Sequence, residues 1–343
     1  MSENKRQTEL DILRLLATLA VIMIHGGLNQ STDNLVIKYM YKGLHAAIVW
    51  CVPVFFMISG RFFLDPERDV SAKKILTAYL PHIIVPFLVW SGVYTAYGLI
   101  SGSYSHLNSF GVIAEFIHGP YHLWFLYSLA GLYLLTPILR KAAADEKTLA
   151  YFLIMFAAVN VATQYLIYVP KIGGMISDFI ERTGLRAVTG YMGYFMLGYF
   201  LYSKKDNTSK KTEIVIYVIG ILMLLATIAA ECLINEELRK TDFVKQYMKP
   251  NVMLYSAAVY AFFIMRMSKI HYSDRTRKIF AVFTECGFGV YCIHAILNEF
   301  VPTPVINSLP FITSLLRVAC LYALSLALTW LIRKIPFVGK KIT

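Results

Sequence analysis

The segment LRLLATLAVIMIH, Leu13–His25, is apolar enough to enter a bilayer, yet it carries Arg14 near one end and His25 at the other. A charged residue inside hydrocarbon costs about 2.5–3.5 kcal/mol on insertion scales, so a chain that keeps one there has a use for it. On a helix, the step from Arg14 to His25 ends about 20° past three full turns and covers about 16 Å. The two side chains therefore share one face, about half a membrane apart. Asp11, three residues before Arg14, can reach it on that face and offset its charge.

The rest of the chain repeats this apolar character. Of 343 residues, 57% are hydrophobic and only 16% are charged, against roughly 25% charged in an average soluble domain. Hydropathy and loop signals give ten candidate spans, near 10–28, 44–63, 75–100, 121–139, 149–169, 188–202, 213–233, 252–268, 279–300 and 311–332. The prediction is an all-α, polytopic membrane bundle of about ten transmembrane helices, forming one membrane domain over 1–343. The first span contains Arg14 and lacks a small-residue cleavage site, so it reads as an uncleaved span and not as a signal peptide. Gly190, Gly193 and Gly198 predict close packing of the short sixth span against a neighbour. No internal or inverted repeat is visible.

A net charge of +12 is compatible with a nucleic-acid partner, but Lys and Arg fall mostly in loops beside apolar segments, where membrane topology accounts for them. With the N terminus inside, 22 of the 33 basic residues lie on the inner side and 9 on the outer, while Arg14 and Arg317 fall within spans. Both termini are therefore expected in the cytoplasm, the partner is the lipid bilayer, and nucleic acid is excluded. The 5 cysteines are odd in number and form no CxxC pair, so neither a disulfide frame nor a metal site is expected.

On this topology His45, Glu115, His118, His122, Glu231, His294, Glu299 and Arg317 lie toward the outer side and Arg61 toward the inner. His45, Glu115 and His118 sit at loop edges, where solvated side chains are the default. His294 and Arg317 each fall within an apolar run. A carbonyl bond for His294 and a pair with Glu299 for Arg317 stand beside functional readings. A neutral imidazole at an outer, partly dry site suits a general base that takes a proton from a hydroxyl. An arginine at the inner mouth suits phosphate or another anion. A donor entering from the cytoplasm and an acceptor waiting outside would need that layout.

These residues fall into a known order. The pattern of Arg14, ten residues and His25 resembles the signature of the acyltransferase-3 family of bacterial membrane acyltransferases. FFMISGRFF, Phe55–Phe63, is similar to that family's FFxISGF segment, and HLWFLYSLAGLYLLTPIL, His122–Leu139, to its HLWFL and LYLLTP elements. YFMLGYFL, Tyr194–Leu201, and GFGVYCIHAIL, Gly287–Leu297, resemble its later LGY and YxIH elements. Each element is weak alone; five in order cover nearly the whole chain.

The resemblance implies a ten-helix bundle that moves an acyl group, usually acetyl, from cytoplasmic acyl-CoA to a hydroxyl of a cell-envelope glycan or other small acceptor. It makes His25 the catalytic histidine, with His122 and His294 as the outer histidines able to assist it, and Arg14 the support for the acyl-CoA end. Ser59 matches the FFxISG element and Trp124 the HLWFL element. Arg61 departs from the family, which commonly has an apolar residue there. It is either a further phosphate contact or the first positive charge after a span, and Ser59, toward the inner end of its span, is expected to serve packing. Trp124, Glu299 and Arg317 are the acceptor-side candidates, although interfacial aromatic belts also supply tryptophan. Direct attack of the hydroxyl on the thioester is expected, since the GxSxG of a serine acyl-enzyme is absent. With no further domain after the last span, acceptor recognition falls to the membrane domain and its short outer loops. The competing reading is a transporter of a small polar solute such as serine, because a polar seam through ten helices also suits a permeation path. The oligomeric state is left open.

Overall fold

The computed structural model describes residues 6–26, 34–233, 246–302 and 310–343. Among them all regular structure is helical. The principal helices are α1 (Thr8–Gly26), α2 (Leu35–Ile48), α3 (Cys51–Phe63), α4 (Pro81–Ile100), α5 (Ser109–His118) and α6 (Trp124–Ala144). They continue as α7 (Glu146–Gln164), α8 (Gly173–Arg182), α9 (Tyr191–Lys204), α10 (Lys210–Leu233), α11 (Pro250–Met265), α12 (Asp274–Phe300) and α13 (Pro310–Arg333).

Among the described residues, seven helical stretches are long and apolar enough to cross a membrane: 35–63, 72–100, 121–144, 146–168, 210–233, 274–300 and 311–333. The other three sequence-predicted spans are helices as well, but α9 and α11 have only 14 and 16 residues. The remaining one, α1, carries Glu9, Asp11 and Arg14 within its first turns. The 35–63 stretch begins before the predicted 44–63 span and is divided at Val49–Trp50. Pro53 explains the division, because it has no N–H to give the Val49 carbonyl and its ring crowds that oxygen. The short helices α5 and α8 were not among the predicted spans. Asn108 caps α5 by accepting from the Gly111 amide at 2.8 Å, as Asp145 caps α7 by accepting from Thr148.

The chain forms two compact units. One contains residues 1–24, 28–68 and 138–281, and the other 25–27, 69–137 and 282–343. In the first, α3 and α9 cross with backbone against backbone. A Cβ on Gly60 would collide with the Phe195 carbonyl, and one on Gly198 with the Met57 carbonyl. The FFMISG and YFMLGY elements are therefore the two sides of one crossing, the small-residue packing by which apolar helices gain contact when lipid offers no hydrophobic incentive. Phe56, Met57, Tyr194 and Phe195 are fully buried around it. Arg140, on α6, donates to the carbonyls of Phe63, Asp65 and Arg68 at 2.7, 2.8 and 3.0 Å and so holds the loop that leaves α3.

In the second unit, the Trp90 indole N–H donates to the Ile342 carbonyl at 2.8 Å, fixing the last turn of the chain against α4. Gly119 sits at φ 69°, with Phe87 and Ser91 where a Cβ would go, and so turns the chain sharply from α5 toward α6.

Because the Met57 carbonyl is backbone and cannot swing aside, Gly198→Ala should destabilise the folded protein by about 1–3 kcal/mol. Thermal unfolding of the detergent-purified variant should show a lowered midpoint, and an unchanged midpoint would refute the tight crossing.

Candidate active site

Three imidazoles meet in the second unit. His25 closes the last turn of α1, His122 lies in the 3-10 turn Tyr121–Leu123 that leads into α6, and His294 lies on α12. The ring centroids of His25 and His294 are 5.5 Å apart, and those of His122 and His294 5.1 Å. Tyr121 packs edge-on against His25 at 5.2 Å and against His122 at 5.4 Å. Tyr94 and Tyr291 pack against His122 at 5.3 and 5.5 Å. His294 is 0% exposed and His122 2%, whereas His25 is only partly buried. The cluster thus has one accessible member and two enclosed ones.

The hydrogen bonds give these rings distinct chemistry. His294 Nδ1 lies 2.6 Å from the Tyr291 carbonyl. A carbonyl only accepts, so Nδ1 carries the hydrogen and the neutral ring leaves Nε2 as a bare lone pair. That Nε2 is buried and meets no hydrogen-bond partner among the described residues. The backbone carbonyl of His122 is occupied, since the Tyr291 hydroxyl donates to it.

A second layer supports His25. Its carbonyl, one of the orphan acceptors at the end of α1, takes the Asn298 side-chain amide at 3.4 Å. The Asn298 carbonyl, near the end of α12, takes the Arg317 guanidinium at 3.0 Å. Gly26 admits this contact, since a Cβ there would lie 2.9 Å from Asn298 Oδ1 and 2.7 Å from Leu321. Arg317 thus goes to a helix end and not to Glu299, which accepts instead from the Tyr97 hydroxyl at 2.7 Å. Trp124 opens α6 and packs edge-on against Phe125.

The other candidates lie in the first unit. Asp11, almost fully buried, pairs with Arg14 at 3.2 Å and with Arg6 at 2.6 Å, the contact expected from the three-residue spacing. The guanidinium groups of Arg14, Arg61 and Arg68 all face the Phe62 ring, 5.2, 5.5 and 4.6 Å from its centroid. Arg61 also pairs with Asp65 and stacks over Tyr202. This arrangement of planar cations on an aromatic face suits a phosphate-bearing ligand. The Ser59 hydroxyl donates to the Phe55 carbonyl one turn back, at 2.9 Å. A cavity of about 350 Å³ in this unit is lined by Ile24, His45, Val49, Tyr191, Gln246 and Tyr247, with Tyr191 stacked flat on Phe56.

Residues 7–334 match the family model Acyl_transf_3, described as an acyltransferase domain. The chain belongs to this acyltransferase family. With seven apolar helices long enough to span a bilayer, family membership supports a multi-pass membrane acyltransferase. No curated protein and no solved structure gives a match.

Tyr291, Tyr94 and Asn298 were not singled out by the sequence. Tyr291 was within reach, because it is the tyrosine of the YCIH element, one turn before His294. Tyr94 and Asn298 carry no such signal.

Removing the Asp11 carboxylate leaves Arg6 and Arg14 without the acceptor between them. Asp11→Ala should cost about 1–3 kcal/mol of stability, more than Asp69→Ala at the exposed pair with Lys74; equal thermal midpoints for the two variants would refute the buried pair.

Proposed function

We propose that the chain is a membrane O-acyltransferase of the bacterial cytoplasmic membrane. It is one membrane domain of ten spans with both termini in the cytoplasm. It moves an acyl group, in the first instance acetyl, from cytoplasmic acyl-CoA to a hydroxyl of a cell-envelope glycan outside. The observation that carries this reading is the packing of His25, the partly accessible member, against the enclosed His294, which packs in turn against His122. Helix α1 also bears Arg14, which faces Phe62 among other arginines.

In this reading Arg14, Arg61 and Arg68 receive the phosphates of the donor, and His25 acts at its thioester. His25 accepts the proton of the acceptor hydroxyl as that oxygen bonds to the thioester carbonyl carbon. The carbon–sulfur bond breaks, and the proton passes to the departing sulfur, giving the ester and free CoA thiol. Base catalysis of this kind contributes typically 10²–10⁴-fold.

Purified protein should transfer labelled acetyl from acetyl-CoA to an envelope glycan fraction. His25→Ala should lower kcat at least 100-fold while acetyl-CoA still binds. Arg14→Gln should instead raise KM for acetyl-CoA about tenfold, the loss of one charge-assisted contact. Wild-type protein that neither binds nor consumes acyl-CoA, but carries labelled serine into vesicles, would replace this reading with transport.

A further inference from the structure

The Tyr94 hydroxyl has an unusual pair of partners. It accepts from the Ile296 amide at 2.9 Å and donates to the Cys292 carbonyl at 2.9 Å. Those two groups are the donor and acceptor of a single i→i−4 rung of α12, so a side chain from α4 is set against both ends of one helical hydrogen bond. Insertion of a polar group into such a ladder opens the helix locally. The affected rung spans His294. That same turn carries the bond from His294 Nδ1 to the Tyr291 carbonyl, and the ring of Tyr94 lies against His122.

We infer that Tyr94 is a positioning residue for the histidine cluster: its hydroxyl, set into the Cys292–Ile296 rung, holds the α12 turn in which His294 keeps Nδ1–H on the Tyr291 carbonyl and Nε2 bare beside His25 and His122. The inference rests on the acyltransferase reading for its role in turnover and on geometry alone for the tautomer. With Nδ1–H fixed, His294 keeps one ring orientation against His25.

The closing test is Tyr94→Phe, which removes one oxygen and keeps the ring against His122. Two measurements are made on full-length protein in nanodiscs. The first is the nitrogen NMR spectrum of ring-labelled histidine, with the His294 signals assigned by their loss in His294→Gln. Wild type should show His294 as the Nδ1–H tautomer, and Tyr94→Phe should show that population reduced or exchanging. The second is steady-state transfer from acetyl-CoA. Tyr94→Phe should lower kcat about tenfold or more with KM for acetyl-CoA unchanged, and it should shift the pH dependence of kcat. A His294 signal identical in the two proteins overturns the inference whatever the turnover, and so does a changed signal with unchanged kcat. If wild type transfers no acyl group at all, the acyltransferase reading fails by itself, and the NMR comparison still decides whether Tyr94 sets the tautomer.

Discussion

Backbone carbonyls are the main acceptors open to the polar side chains around the histidines, and that region is organised around them. Water is scarce within a bilayer, so a buried hydroxyl, amide or guanidinium without a protein acceptor costs several kcal/mol. Tyr291 donates to the His122 carbonyl, His294 to the Tyr291 carbonyl, Asn298 to that of His25, and Arg317 to that of Asn298. Two of these acceptors, in His25 and Asn298, lie at helix ends, where the last carbonyls have no intrahelical donor. Arg140 applies the same solution to the loop after α3, with one guanidinium on three carbonyls. Side-chain identity near the histidines is thus tied to where helices stop.

How much of this the sequence carried depends on the range of the interaction. The spans were legible because a run of about twenty apolar residues has few other uses, and nearly every predicted span coincides with a helix. The Arg14–Asp11 pair was legible because it is local, three residues apart on one helix. The division at Val49–Trp50 was readable in principle from Pro53. The meeting of His25, His122 and His294 was not, because nothing local relates positions so far apart. The ordered resemblance to a family pointed to the three residues, and only the fold brings their rings within 5.5 Å. Arg317 shows the opposite case. Charge suggested Glu299, yet the adjacent orphan carbonyl of Asn298 took the guanidinium, and Glu299 found a tyrosine hydroxyl from α4.

The two regions differ in how their charge is managed. Around Phe62, cations are numerous and each of Arg14 and Arg61 keeps a carboxylate partner, so the cluster holds together before any ligand arrives. Around His25 there is no carboxylate in direct contact with the rings among the described residues. Phosphate binding gains from fixed countercharge that a ligand can share, whereas a proton acceptor gains from a bare lone pair near the reacting hydroxyl. On the proposed acyltransferase reading, each region suits its own task.

The crossing of α3 and α9 bears on what family membership certifies. Gly60 and Gly198 are held by the carbonyls opposite them, so these two glycines report the geometry of a scaffold and are blind to chemistry. On the proposed reading, a descendant chain that exchanged His25 and His294 for inert residues would keep both glycines, because the cost of losing either falls on folding alone. Selection on folding and selection on catalysis would then write into separate letters of this sequence, and only the second set would distinguish a working enzyme from a silent copy of its frame.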